Sequence, residues 1–192
     1  MKIKRKGFSI FELLLVSTII PALSLAIYAM FSGGLKIYQR INRSLPFEEI
    51  NFFLDNFKQD LKNTFYFKEV AFQGESQRLT LATFVYDVYY QEKLPGKVVY
   101  LYEPYKKSFI RQEFSYPQIF SATSHPRVKA LKNIDNLEFK YYYYKKETKE
   151  FIWEENTLDG KIPLAVRVEF VFKDEKEENP FVCTVSIPIA NP

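Results

Sequence analysis

Hydrophobic and polar positions change their pattern twice along the chain. Basic residues dominate the first seven positions, and residues 13–35 then form 23 consecutive positions without a charge. A helix of that length spans about 34 Å, which exceeds the hydrocarbon thickness of a bilayer, about 30 Å. Buried helices of soluble proteins rarely run past about 20 residues without a polar stripe. The pattern therefore predicts a membrane-spanning helix over residues 8–35.

An amphipathic pattern follows this apolar segment. The Ser-Leu-Pro sequence at residues 44–46 predicts an N-cap followed by a proline in the first turn. Apolar residues then recur at steps of three and four, while polar residues fill the opposite face. We therefore expect an amphipathic helix within residues 36–66 that continues into the folded domain and packs one stripe on its core. The stripe consists of Phe47, Ile50, Leu54, Phe57 and Leu61.

Residues 67–192 show the period-two alternation of β-strands, separated by turn-forming residues. Turns are predicted at Pro95-Gly96, at Asp159-Gly160 and around residues 174–180, and a long loop at residues 115–127. Helical segments do not alternate with the strands, so we expect a mainly antiparallel sheet. The predicted fold class is α+β, with a long N-terminal helix packed on this sheet domain. Strands are expected at residues 79–81, 85–90, 98–102, 109–114, 137–143, 164–172 and 181–187.

Charge is distributed unevenly along the 192 residues, whose formal net charge is +4. Residues 2–6 carry four positive charges, and the other 23 Lys and Arg residues equal the 23 Asp and Glu residues in number. A nucleic-acid-binding domain needs a basic patch on its folded surface, so we expect no nucleic-acid partner. The basic N-terminus favours a cytoplasmic location, by a narrow margin over the flank with Lys36, Arg40 and Arg43.

Residues that carry catalytic or metal chemistry are few. One Cys, one His and six Gly exclude an internal disulfide, a thiolate-rich metal site and a glycine-rich phosphate loop. His125 is expected to be solvated in a loop, and Cys183 to be a buried, unreactive thiol. Lysines interrupt the acidic run at residues 174–178, so a solvated hairpin tip is favoured there over a calcium site. We expect no enzymatic activity, no cofactor and no metal.

The segment Gly-Phe-Ser-Ile-Phe-Glu at residues 7–12 follows the basic leader and precedes the apolar helix. This arrangement resembles the class III leader of type IV pilins and type II secretion pseudopilins. The resemblance implies a leader peptide at residues 1–7, cleavage by a prepilin peptidase between Gly7 and Phe8, and methylation of the Phe8 amine. It also implies that Glu12 neutralises the N-terminal amine of a neighbouring subunit during filament assembly, which relieves two buried charges at once.

Alternatives exist for the same segment. Glu12 can also be read as an interfacial side chain that reaches water. An ordinary secretory signal, cut after the Ser-Leu-Ala sequence at residues 24–26, would release a soluble domain beginning at Ile27. Pro21 is expected to kink the helix, and Gly33-Gly34 is a second weak point.

A second set of residues resembles the J-type minor pseudopilin of type II secretion. That family has a strand with Leu-x-Phe-x-Tyr spacing, a hairpin that bears a tryptophan, and a Pro-x-Ala-Val-Arg strand. Minor pilins of the W type share a similar pair of strands. The matching residues are Leu137, Phe139, Tyr141, Trp153, Pro163 and Arg167.

Together the resemblances imply a minor pseudopilin at the tip of a pseudopilus. Its expected partners are the I- and K-type minor subunits, the major subunit, the prepilin peptidase and the inner-membrane assembly platform. The precursor would cross the inner membrane once, with residues 67–192 in the periplasm as a β-rich domain. The alternatives are a minor pilin of a type IV pilus or a DNA-uptake machine, and a secreted or tethered β-domain that binds an extracellular ligand.

Tyrosines occupy residues 141–144 and place two rings on each face of the predicted sheet. On the outer face, Tyr142 and Tyr144 suggest a protein contact, because exposed aromatic residues often anchor interfaces. Coverage of this strand by the long loop at residues 115–127 explains the same rings equally well. Arg167 and Glu169 share a strand face and are expected to pair.

Overall fold

The computed structural model describes residues 9–120, 125–158, 161–174 and 177–190, with the backbone alone for residues 39–45. The chain divides into two compact units, Met1–Glu48 and Glu49–Pro192. One helix, α1 (Ile10–Lys62), contributes residues to both. An apolar N-terminal helix followed by antiparallel sheets confirms the predicted α+β class at this level.

In the first unit, α1 is apolar and its side chains are exposed. Its Ile10–Tyr38 stretch is long and apolar enough to cross a membrane, by length and composition. The hydroxyls of Ser17, Thr18, Ser24 and Ser32 each donate to a backbone carbonyl three or four residues earlier, at 2.8–3.0 Å. These bonds satisfy the hydroxyls within the helix, as an apolar environment requires.

Both prolines of this region lie inside the helix. α1 continues through Pro21 and Pro46, so the expected start of a separate helix at residues 44–46 is wrong. A proline inside a helix removes one backbone hydrogen bond. Once a helix is nucleated, each further residue adds a hydrogen bond at little cost, so the helical segments on either side carry α1 across Pro46.

In the second unit, α1 buries a wider face than the predicted stripe. Phe53 and Asp60 are buried together with four stripe residues. Phe47, the remaining residue of the predicted stripe, belongs to the first unit and is exposed. The helix ends at Lys62. The stripe residues whose burial is confirmed are Ile50, Leu54, Phe57 and Leu61.

Five antiparallel strands form the first sheet in chain order. A 3₁₀ turn (Pro104–Lys106) follows the third strand, and a short helix, α2 (Tyr116–Ile119), follows the fourth. The segment at residues 115–127 is therefore not a loop throughout. The strands are β1 (Gln73–Glu75), β2 (Arg78–Asp87), β3 (Glu92–Glu103), β4 (Ser108–Phe114) and β5 (Arg127–Lys132).

Pro95 and Gly96 lie inside β3, paired with β2, so the turn predicted there is wrong. β4 pairs with β3 only from Lys97 onwards. Pro95 therefore lies in a part of β3 that has one neighbouring strand, β2. The missing N–H of a proline is tolerated in such a stretch. The turn between β2 and β3 lies at residues 88–91 instead. The turn predicted at Asp159-Gly160 lies outside the described residues.

The second sheet has four antiparallel strands in the order β7-β6-β8-β9. Its inner face is buried along the predicted alternations of β6, β8 and β9. The outer face of this sheet carries polar and aromatic residues. The strands are β6 (Ile134–Lys145), β7 (Glu150–Glu154), β8 (Ala165–Lys173) and β9 (Glu178–Ser186).

Aromatic rings join α1 to both sheets in the core of the second unit. The ring centroid of Phe57 lies 5.1 Å from that of Tyr100 on β3 and 6.1 Å from that of Phe139 on β6. Phe109 on β4 lies 5.9 Å from Phe139 and 6.0 Å from Phe170 on β8. Residues 49–62 of α1 therefore pack where the inner faces of the two sheets meet.

Candidate functional site

Glu12 lies in the first turn of α1, three residues after Ser9. Its Oε2 accepts the N–H of Ser9 at 3.0 Å, and Oγ of Ser9 accepts the N–H of Phe11 at 3.3 Å. Side-chain oxygens that accept N–H groups at a helix start act as caps. The carboxylate also faces the positive end of the helix dipole. Glu12 therefore has a local structural role, for which the Ser-x-x-Glu spacing is a readable signal that the sequence analysis did not use.

Glu12 is also the one charged residue within residues 8–35. Its side chain is exposed, and within the described ranges its Oε1 accepts no hydrogen bond. Gly7 and Phe8, the predicted processing residues, lie outside the described residues. A carboxylate on an apolar helix is costly in lipid, and a neighbouring positive charge reduces that cost. The position therefore suits pairing with a cation.

The exposed surface of α1 carries an apolar hollow of about 460 Å³, lined by Ile27, Met30, Phe31, Gly34 and Leu35. A Cβ atom added at Gly34 would meet no atom within 4 Å. Because small residues allow helices to approach closely in lipid, this hollow is suited to packing against another helix.

The residues that carry the second resemblance separate into two groups. Leu137, Phe139 and Tyr141 face the core from β6, and Oη of Tyr141 donates to the carbonyl of Glu75 at 2.9 Å. Pro163 is buried just before β8. These side chains support the fold.

Trp153 and Arg167 meet on the opposite, outer face of the second sheet. The guanidinium carbon of Arg167 lies 4.3 Å from the ring centroid of Trp153, a favourable cation–π distance. Nε of Arg167 donates to Oγ1 of Thr184 at 3.1 Å, and Nη1 lies 3.5 Å from Oε1 of Glu169, which confirms the expected pair. Arg167 on β8 thus links β7 to β9.

Four rings form a continuous row beside this contact: Tyr144, Phe151, Tyr142 and Trp153, here called the outer aromatic cluster. Successive ring centroids are 4.9, 5.6 and 4.7 Å apart. Phe151 remains 56% exposed. The helix α2, within the segment that was considered as a cover for these rings, packs against the first sheet instead. The described part of that segment therefore leaves the outer aromatic cluster uncovered.

An ionic cluster between α1 and the first sheet was missed by the sequence analysis. Arg111 on β4 donates from Nε to Oδ2 of Asp60 at 2.7 Å and from Nη2 to Oδ1 at 3.0 Å. Oη of Tyr100 donates to the same Oδ2 at 2.6 Å. Arg111 also pairs with Glu113, whose second oxygen lies 3.9 Å from Nη1 of Arg127. Burial of the charges is thus compensated by a chain of partners.

The charge states in this cluster follow from its geometry. Burial disfavours the charged form of Arg111, but the hydrogen bonds and electrostatic interactions with Asp60 and Tyr100 together outweigh it and raise the pKa of the guanidinium. Burial, aided by the charge of Asp60, raises the pKa of Tyr100 well above its ordinary value. Arg111 therefore stays a cation and Tyr100 a neutral donor.

Two sequence signals could have located the cluster. Asp60 lies three residues after Phe57, on the buried face of an amphipathic helix. Arg111 alternates with Phe109 and Glu113, so the three side chains share one face of β4. A carboxylate and a guanidinium on faces that both pack inwards are expected to find each other.

The residues considered for catalysis or metal binding are dispersed. His125 is exposed. Cys183 is buried on the inner face of β9, where burial raises the pKa of its thiol. Glu178 pairs with Lys173 at 2.8 Å, and Glu175 lies outside the described residues. The described residues contain no group of three His, Cys, Asp or Glu side chains that could hold a metal ion.

Comparison with known protein families and curated proteins identifies no relative. No protein-family model matches the chain, and no curated protein matches it.

Proposed function

We propose that the chain is a minor pseudopilin of a type II secretion system. In this role it is a structural subunit of the pseudopilus tip, where it helps to initiate the filament that exports proteins across the outer membrane. The observation that carries the proposal is Glu12, a single carboxylate at the start of an exposed apolar helix and four residues after Phe8. No catalytic step is part of the proposal.

The proposed mechanism is assembly. The precursor crosses the inner membrane through the apolar part of α1, with a cytoplasmic N-terminus and a periplasmic β-rich domain. A prepilin peptidase cuts between Gly7 and Phe8, and the assembly platform transfers the subunit into the filament. The carboxylate of Glu12 then pairs with the Phe8 amine of a neighbouring subunit, which relieves the cost of both charges in lipid.

The capping bond to Ser9 provides a competing explanation for Glu12, so a test must separate the cap from the charge. Glutamine at position 12 keeps a side-chain oxygen that can accept the N–H of Ser9, but it carries no negative charge. Alanine removes both properties. Ser9→Ala is the matched control, because it removes the serine cap and keeps the carboxylate.

The test co-expresses these variants with the prepilin peptidase, the major subunit and the I- and K-type minor subunits. Recovery of the tip complex and the secreted amount of an exported protein are the two readouts. Glu12→Gln and Glu12→Ala should both lower each readout by about tenfold or more, because an unpaired charge remains on the partner. Ser9→Ala should behave like the wild type. Wild-type behaviour of Glu12→Gln together with failure of Glu12→Ala would show that Glu12 acts as a cap alone.

The mass of the mature N-terminus tests processing independently. A chain that begins at N-methylated Phe8 supports the pilin-type route, whereas a chain that begins near Ile27 indicates a secretory signal and contradicts the proposal. Co-purification with subunits of a type IV pilus or DNA-uptake machine, instead of secretion subunits, would assign the chain to that alternative.

A further inference from the structure

A cleft of about 710 Å³ opens beside the hairpin between β2 and β3. Three exposed tyrosines line it, Tyr86, Tyr89 and Tyr90, together with residues of α2 and of the start of β5. Small-molecule sites in proteins typically measure about 300–1,000 Å³ and combine apolar walls with a few polar groups. The size and the lining therefore suit a small ligand.

Asp87 organises the turn that presents these rings. Its Oδ1 accepts the N–H of Tyr89 at 2.8 Å and the N–H of Tyr90 at 3.2 Å. Burial disfavours the charged form of Asp87, but hydrogen bonds from Ser115 and from these two N–H groups hold its pKa below the ordinary value. Because the turn is already ordered, a ligand would bind without the cost of ordering it.

Glu113 and Arg127 place an acceptor and a donor in the same cleft. Glu113 is only 9% exposed, and one of its carboxylate oxygens pairs with Arg111. Its second oxygen lies 3.9 Å from Nη1 of Arg127, which is too far for a hydrogen bond. Within the described part of the chain, this oxygen accepts no hydrogen bond. A hydroxyl group both donates and accepts, so a ligand hydroxyl could connect the two side chains.

The charges at the cleft favour a neutral ligand. The carboxylates of Asp87 and Glu113 and the guanidinium group of Arg127 place both signs of charge at the cleft, so a charged ligand would meet a like charge as well as an opposite one. The tyrosine rings add flat apolar faces with polar edges. Carbohydrates combine these requirements, because a sugar ring carries several hydroxyls and an apolar face of C–H groups.

We propose that this cleft binds a neutral carbohydrate of one or two rings. A sugar ring stacks on Tyr89 or Tyr90, and one hydroxyl donates to Glu113 and accepts from Arg127. This binding site is separate from the assembly role of α1, and the inference does not depend on the proposed function.

The test uses the full chain in phosphatidylcholine nanodiscs, without detergents that carry sugar headgroups. Cellobiose, maltose and chitobiose are the probes, and binding is followed by saturation-transfer NMR and by calorimetry. Sorbitol is the control for hydroxyls without a ring, and acetyl-triglycine amide is the control for a peptide. At least one disaccharide should bind saturably in the millimolar range, and neither control compound should bind.

Variants connect the binding to the cleft. The double variant Tyr89→Ala/Tyr90→Ala and the single variant Arg127→Met should each weaken the affinity by about tenfold, about 1.4 kcal/mol. Tyr105→Ala is the matched control, because Tyr105 is fully exposed and outside the cleft. All four side chains are exposed, so folding should be retained. Absence of disaccharide binding, binding of the peptide as strong as that of the sugars, or wild-type affinity in the cleft variants would each overturn the proposal.

Discussion

Arg111 binds both carboxylate oxygens of Asp60 through two parallel hydrogen bonds of 2.7 and 3.0 Å. The planar guanidinium fits a carboxylate in one orientation, so the pair fixes how residues 49–62 of α1 sit on the first sheet. Both side chains are buried. Removal of either partner would therefore leave a buried charge without its main counter-charge.

Asp60→Ala should lower the free energy of unfolding by about 3–5 kcal/mol, because the Arg111 charge loses its main partner. Asp55→Ala is the matched control on the same helix. Asp55 is an exposed residue that pairs with Lys58 at 2.9 Å, and such pairs contribute about 0–1 kcal/mol. Urea unfolding of the full chain in nanodiscs, followed by tyrosine and tryptophan fluorescence, measures both. Equal losses in the two variants would contradict a special role for the buried pair.

Alkaline pH should destabilise the β-rich unit through its buried tyrosines. Burial raises the pKa of Tyr100, Tyr141 and Tyr143 above the unfolded value of about 10. The folded state keeps protons that the unfolded state releases. The contribution of these tyrosines to the free energy of unfolding is therefore fully present below about pH 10 and is lost as the pH rises further. Urea midpoints measured between about pH 9 and about pH 12 should show this fall. Tyr141→Phe should have a shallower decline, and an unchanged slope would contradict the assignment.

Acidic pH acts through Asp135, whose Oδ2 lies 3.2 Å from Nζ of Lys173 and 3.3 Å from Nζ of Lys107. The hydrogen bond from Lys173 has the largest effect and lowers the pKa of Asp135. The hydrogen bond from Lys107 lowers it further, and burial opposes both. A lowered folded pKa gives stability above the unfolded pKa of about 3.9, which is lost as the pH falls through the folded pKa. The stability difference between Asp135→Asn and the wild type should therefore shrink from about pH 5 to about pH 2. A constant difference would mean that the carboxylate charge is not involved.

Local patterns predicted a large part of this fold. The strands β6, β8 and β9 were located from hydrophobic periodicity, because each buries one face and the period is visible in the sequence. The apolar stretch of α1 was located from its unbroken run of uncharged residues. Glu12 was identified in the same way, as a charge within an apolar run. The buried stripe of α1 was predicted except for Phe47, which is exposed, and for its width, which Phe53 and Asp60 extend.

Features that depend on distant partners were not predicted. Asp60 and Arg111 are 51 residues apart in the chain. Local patterns place each side chain on a face that packs inwards, but the contact between them depends on how the helix and the sheet assemble. Pro95-Gly96 has the composition of a turn, and only the short reach of β4 along β3 makes the proline acceptable within a strand. Similarly, the cleft beside the β2–β3 hairpin needs the ends of β4 and β5 to meet a turn from another part of the chain.

Gly74 on β1 should be intolerant of a larger side chain, because a Cβ atom there would overlap the phenol ring of Tyr141. Overpacking of a core costs about 1–3 kcal/mol. Gly74→Ala should therefore lower the thermal midpoint of the β-rich unit, measured by near-UV circular dichroism. Gly34→Ala is the control, because its Cβ would meet no atom within 4 Å. A similar midpoint in the two variants would show that β1 can move away from Tyr141.

Trp153 is the one tryptophan of the chain, so tryptophan emission reports on the surroundings of this indole, which include the contact with Arg167. Arg167→Ala should shift the emission to longer wavelength, because the guanidinium that covers the indole is replaced by water. Arg167→Lys keeps the charge but loses the planar stack, and its emission should lie between the other two. Arg78→Ala, an exposed change on the first sheet, should leave the emission unchanged. If Arg167→Ala has the wild-type emission, the cation–π contact does not persist in solution, and the outer face loses the link between β7 and β9.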